Sequence, residues 1–312
     1  MIEAGLALSR FLHYAAMMVL LGCALFPRYP HEARDRGDGP YLLAATLQPS
    51  IMGALLLAFL SALSWFAFTT AGVTDSLASM LDPPTLRLVA LRTGFGQVWI
   101  ARLILIALAA VLFSRPAEHR ATWVVGSIIA ALALVMLALV GHGVEGEGTA
   151  GLVHRTSDAL HLLASAVWIG ALFSLSLLLL RSRKGTNGRE ADIIHDALIR
   201  FSGVGPGVVA VLLLTGIANG WILIGPENAL ASLSTPYGQV LLNKIILFAL
   251  MLALAAGNRY WLTPLLSADL KGDARRSLAR LRMSVIIETI LAALVLGAVA
   301  YLGTLAPPAS GN

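Results

Sequence analysis

Apolar residues in this chain gather into long unbroken stretches, and the polar residues fall mostly in the short segments between them. The stretches run over approximately Leu6–Phe26, Leu42–Ala71, Val98–Phe113, Ala121–Gly141, Thr156–Leu180, Phe201–Ile224, Val240–Leu262 and Met283–Leu305. A helix needs roughly 20 apolar residues to cross the hydrocarbon core of a bilayer. Each stretch therefore predicts a transmembrane helix. The second is long enough to tilt, kink or project, and the third is short unless Trp99 to Arg102 belong to it. The fold class that follows is an all-α membrane protein with eight transmembrane helices.

Composition agrees with lipid as the solvent. Of 312 residues 58% are hydrophobic and 12% charged, with a mean hydropathy of +0.81, whereas a soluble domain carries about 25% charged residues. Glu3 precedes the first stretch and no small-residue cleavage site follows before Pro27, so it reads as a retained helix and not a signal peptide. The single cysteine, Cys23, leaves no intramolecular disulfide and no CxxC clip.

Lysine and arginine concentrate in alternate loops. Arg28, Arg34 and Arg36 follow the first stretch, Arg115 and Arg120 the third, and Arg181, Arg183 and Lys184 the fifth. By the positive-inside bias these loops are cytoplasmic and both termini periplasmic. The pI of 9.7 then reports orientation, with no nucleic-acid partner implied. A phosphate-binding G-x4-G-K-[ST] loop is absent from the sequence, which argues against ATP coupling within this chain.

The chain also repeats itself. "TGFGQVWIARLILIAL" (Thr93 to Leu108) aligns with "TPYGQVLLNKIILFAL" (Thr235 to Leu250), setting Gly96 on Gly238, Gln97 on Gln239 and Arg102 on Lys244. Ser9, Leu12, His13, Val19 and Gly22 likewise align with Ser157, Leu160, His161, Val167 and Gly170. Four helices per unit is an even number, so the two units point the same way about an axis along the membrane normal. The expectation is one transmembrane domain over 1–312, built as two parallel four-helix repeats of about 1–150 and 151–312.

Ionisable groups in membrane helices are costly and face protein or water, which makes each a functional candidate. His13 lies about seven residues into the first stretch, ~10 Å below the outer surface at 1.5 Å per residue, and His161 about five residues into the fifth. His142 ends the fourth stretch on that side and His154 begins the approach to the fifth, so four of the seven histidines share one face. Between them runs the glycine-rich "GHGVEGEGTAGLVH" with Glu145 and Glu147.

Imidazole suits copper, zinc, iron or nickel, and thioether sulfur favours Cu(I). Met17 follows His13 by one helical turn. Candidate metal ligands are thus His13, His142, His161, Met17 and His154, with Glu145 and Glu147 at the mouth. Arg10 and Asp158 each stand three residues before a paired histidine, as an ion pair across the halves or with Asp158 orienting His161. Arg102 and Lys244 either snorkel to headgroups or bound a polar outer cavity. Trp168 sits two turns beyond His161, and Glu288, near the inner end of the last stretch, needs a partner the sequence does not name.

The block "DALHLLASAVWIGAL", followed by "RFSGVGPGVVAVLLLTGIANGWI" and "STPYGQVLLNKIILFALMLALAAGNR", resembles the copper resistance protein D family. The likeness is dense from about Thr156 to Arg259, and Asp158, His161, Trp168, Gly170, Tyr237, Gly238 and Lys244 carry it. It implies a multi-pass protein of the bacterial inner membrane in copper homeostasis and resistance, a transporter and not an enzyme. Copper, as Cu(I) or Cu(II), would be the ion carried, handed over by a periplasmic copper-binding protein of the CopC type. No long outer segment or methionine-rich repeat is present in the sequence, so that donor would be separate. The expected action is import: a copper ion bound among His13, His142 and His161 and passed between the two halves. The alternatives are a haem-binding or quinone-linked membrane oxidoreductase, since paired histidines also ligate haem, or a copper-sensing membrane partner that transports nothing.

Overall fold

A computed structural model of the chain describes residues 1–28, 39–116, 119–140, 148–181, 188–269 and 275–307. The helices are α1 (Ile2–Leu25), α2 (Gly39–Thr74), α3 (Pro83–Arg92), α4 (Gly94–Phe113), α5 (Arg120–Val135), α6 (Gly148–Arg181), α7 (Gly188–Ile224), α8 (Ala229–Ser232), α9 (Pro236–Gly257), α10 (Thr263–Asp269) and α11 (Arg275–Leu302). Among the described residues there is no strand. Eight helical stretches are long and apolar enough to cross a membrane, and they coincide with the eight runs in the sequence.

The conserved-looking start of α4 and α9 has a local cause. Thr93 Oγ1 accepts from the Gly96 amide at 3.0 Å, and Thr235 Oγ1 from the Gly238 amide at 3.1 Å, so each threonine caps its helix. A Cβ on Gly96 would stand 2.2 Å from the Val89 carbonyl oxygen, and one on Gly238 would stand 2.0 Å from that of Ser232. Only glycine lets the preceding turn fold back this closely. With the cap at Thr93, α4 takes in Trp99 to Arg102 and is long enough to span.

Other boundaries differ from the sequence expectation. Helix α6 begins at Gly148, well before Thr156, so His154 lies inside the helix and is buried instead of preceding it. The segment from Gly148 to Thr156 contains no proline, and Gly151 and His154 pack inward, so nothing stops the helix early. The second loop holds a 3-10 turn, Leu77–Leu81, and α3, whose N-terminus is capped by the Asp82 side chain accepting from the Thr85 amide at 3.0 Å. Both are too short to show as apolar runs. Beyond α9 the chain makes a π-helical turn, Asn258–Leu262, just before Pro264. A proline there has no N–H to give and its ring crowds the carbonyl four residues back, which favours such a widening.

Helices α1 and α6 form the centre. The first packs on α2, α5 and α11, the second on α7 and α11, and the two cross each other. At the crossing Gly22 meets Gly170: a Cβ on Gly22 would lie 2.2 Å from the Gly170 Cα, and the reverse holds equally. Backbone therefore touches backbone, the close approach that small residues allow in membrane bundles. Cys23 and Ser174 flank it, Sγ to Oγ 3.4 Å.

Arg10 of α1 donates to the carbonyl of Gly303 just past α11, where a helix end offers unpaired carbonyls and a negative dipole end to a cation. The start of α1 and the end of α11 are thus at one end of the bundle. We expect Gly22→Ala to lower stability by ~1–3 kcal/mol through overpacking. Gly207→Ala, at a position with open space around it, should be neutral or gain up to ~1 kcal/mol from helix propensity. Thermal unfolding of both variants in one detergent checks this.

Candidate functional site

Two histidine pockets lie at that end of the bundle, one in each half. In the first, His13 is fully buried, its Nδ1 3.0 Å from the Ala58 carbonyl and 3.1 Å from Ser61 Oγ. The Ser61 hydroxyl has its single proton directed at the Leu57 carbonyl, 2.6 Å away, so it accepts from the ring, as the Ala58 carbonyl must. The proton is therefore on Nδ1, and the Nε2 lone pair faces Arg102 Nη2 at 2.6 Å.

Arg102 is buried, with 1% of its surface exposed, which sets aside the first of its two readings, snorkelling to headgroups. Its Nε donates to the Ala133 carbonyl at 3.0 Å, and its guanidinium lies 4.5 Å from the Trp99 ring centre. Ala133 is available because α5 tightens after Val135 into the 3-10 turn Met136–Leu139, which interrupts the regular ladder. Trp65 and Trp99, 4.9 Å apart, close the pocket, and Arg10 covers the outer face of Trp65 at 5.2 Å. Both ring nitrogens of His13 are engaged. Met17, fully buried, belongs to the hydrophobic core behind it.

The second pocket repeats the scaffold with different occupants. His161 Nδ1 lies 2.8 Å from Thr215 Oγ1, and that hydroxyl points its proton at the Val211 carbonyl, 2.6 Å away. His161 is therefore also the Nδ1–H tautomer. Here, however, Nε2 has no hydrogen-bond partner among the described residues. Lys244, aligned with Arg102, is close enough for its charge to act on His161 and on Asp158. Where the first pocket has the pair Arg10 and Trp65, the second has Asp158 accepting from Asn219 Nδ2 at 2.6 Å. His154 Nε2 stands 3.7 Å from the other Asp158 oxygen and makes no hydrogen bond, though buried.

His154, Asp158 and His161 follow one another at i, i+4 and i+7, so they share one face of α6. Trp168, two turns further on that face, donates from Nε1 to Glu288 Oε1 at 2.9 Å. Asn258 Nδ2 donates to the other Glu288 oxygen at 3.0 Å, which supplies the partners the sequence left unnamed. Asn219 and Asn258 were not candidates: a lone asparagine in an apolar run carries no periodic signal, and its role depends on a helix remote in sequence. Asp158 takes Asn219 and His154 as partners and Arg10 takes Gly303. His142, Glu145 and Glu147 lie outside the described residues, among which no three His, Cys, Asp or Glu side chains converge on a common metal position.

A bundle of eight membrane-length helices defines a polytopic membrane protein. Residues 1–152 match the family described as copper resistance protein D-like, N-terminal domain, and residues 195–302 match copper resistance protein D. The chain is 32% identical to copper resistance protein D of Pseudomonas syringae pv. tomato, over 96% of this chain and 95% of that one. It is 27% identical to the inner membrane protein YebZ of Escherichia coli (strain K12), over 96% and 97%. A third relative, the copper transport protein CutJ of Bacillus subtilis (strain 168), is 29% identical over 81% of this chain and 46% of that protein. The chain belongs to the copper resistance protein D family. No solved structure matches it.

The two pockets differ in what their cations hold together. Arg102→Ala is expected to cost ~2–4 kcal/mol, since it strips the donor from His13 and from the Ala133 carbonyl in a dry site. Lys244→Ala, in a half-buried position, should cost under ~1 kcal/mol. Denaturation midpoints measured side by side in detergent distinguish these outcomes.

Proposed function

We propose that this protein moves copper ions inward across the bacterial inner membrane, receiving them at the second histidine pocket. The names of its relatives, copper resistance protein D and copper transport protein CutJ, support copper as the ion, and that of YebZ supports the inner membrane. The observation that carries the site is His161: its tautomer is set by Thr215, which leaves the Nε2 lone pair without a protein partner. A neutral imidazole nitrogen is a good copper ligand. His154 and Asp158 on the same helix face add a second nitrogen and a carboxylate, and Asp158 also offsets the charge of Lys244.

In this reading the architecture is two parallel four-helix repeats with both termini in the periplasm. The recurrence of threonine caps, hydroxyl-held histidines and aligned cations in the two halves supports it. The site is completed from outside, by ligands of the Gly141–Glu147 segment (His142, Glu145 and Glu147) and by a periplasmic copper-binding protein of the CopC type. His13 and Met17 serve as the structural counterpart, because the His13 lone pair is held by Arg102. The path runs within the second repeat, since α1 and α6 touch backbone to backbone at Gly22 and Gly170.

Copper accumulation by cells expressing equal amounts of each variant tests this. His161→Ala should fall to the level of cells without the protein, and Asp158→Asn should weaken copper binding by about tenfold, the range expected for a residue that orients a ligand. Wild-type accumulation by His161→Ala overturns the site.

A further inference from the structure

Glu288 lies within the candidate membrane span Arg276–Leu302, five residues beyond Met283, where the apolar run begins, with 2% of its surface exposed. Its two carboxyl oxygens meet two neutral donors, Trp168 Nε1 at 2.9 Å and Asn258 Nδ2 at 3.0 Å. No ionisable side chain among the described residues on the helices packed against α11 acts on it. A carboxyl so placed has no fixed counter-charge, and such groups in membrane proteins mark ion or proton pathways.

Two further observations point to a ligand. Asn258 Oδ1 is buried without a hydrogen-bond partner and belongs to the same side chain that holds Glu288, so an unsatisfied oxygen stands beside the carboxyl. Asn258 also opens the π-helical turn Asn258–Leu262, and such turns occur frequently at functional sites. Oxygen donors of this kind suit a proton or a hard cation better than a soft one. Trp168 joins this α11 carboxyl to the face of α6 that carries His154, Asp158 and His161, so the carboxyl lies two helical turns below the proposed copper site.

We propose that Glu288 is a proton-exchanging carboxyl, a second station beneath the histidine pocket, that compensates the charge of the passing ion. The coupling rests on the transport reading above; the protonation site itself does not. As the ion arrives the O–H bond of the carboxylic acid breaks and its proton leaves to water in the path. As the ion departs inward, the carboxylate takes up a proton again. One proton balances the charge of Cu(I) and half that of Cu(II), and no electron moves.

The test uses the whole protein with Glu288→Gln, an isosteric change whose amide oxygen can accept from Trp168 and whose NH2 can donate to Asn258 Oδ1 once the Asn258 amide turns over, so the fold should survive. Purified wild type should show a protonated-carboxyl infrared band that disappears reversibly as pH is raised and is missing in the variant. In proteoliposomes with an internal pH dye, copper addition should move protons in the wild type and at least tenfold fewer in Glu288→Gln. Copper binding measured by equilibrium dialysis should be the same in both. Absence of the titrating band, or equal proton movement by the variant, overturns the proposal. A titrating band in a wild type that moves no copper overturns the transport reading and leaves the proton site standing.

Discussion

Inside a bilayer no water is at hand, so every polar atom placed among the helices must find its partner in the protein. This one constraint organises the bundle. Arg102 enters the interior because an imidazole lone pair, an interrupted carbonyl and a tryptophan face surround it. Arg10 stays because a helix end accepts it. Trp99, Trp123 and Trp168 each direct the indole N–H at an oxygen of another helix, Ala62, Ala24 and Glu288 respectively. Each such bond joins elements far apart in sequence, and together they select one packing among the many that apolar helices would tolerate.

The same constraint explains how two like pockets come to differ. In both, a hydroxyl one helix away fixes a histidine as the Nδ1–H tautomer. In the first half a planar guanidinium with several donors closes on the free nitrogen, and indole rings remove the remaining space. In the second half the aligned residue is lysine, a compact charge on a flexible stem, and the positions of the large aromatics Trp65 and Trp99 are taken by Asn219 and Leu241. One pocket is closed by its own side chains; the other keeps an unclaimed lone pair, a carboxylate and a second histidine.

The polar stripe of α6 gives the second half its direction. His154, Asp158 and His161 occupy the end near the chain termini, while Trp168 leads to Glu288 within the span of α11. Gly22 and Gly170 close the crossing of α1 and α6, while Tyr14 of α1 lies within electrostatic reach of both Arg102 and Asp158. Among the described residues, buried polar atoms without a hydrogen-bond partner occur in both halves: Arg10 Nε, Trp65 Nε1, Thr69 Oγ1 and Arg102 Nη1 in the first, and His154 Nε2, Asn219 Oδ1 and Asn258 Oδ1 in the second.

The sequence by itself determined the fold class, the eight spans, the family and the alignment of His13 with His161 and of Arg102 with Lys244. These are local or periodic properties: apolar length sets a span, and a repeated block such as T-x-x-G-Q-V shows itself by comparison with its copy. It could not tell the two histidines apart, place His154 within a helix, or give Glu288 its partners. Those outcomes depend on which atoms of distant helices lie within about 3 Å of a ring nitrogen or a carboxyl oxygen. An imidazole that ligates and one that packs have the same letter in the sequence, and only the tertiary structure decides whether a neighbour holds the lone pair.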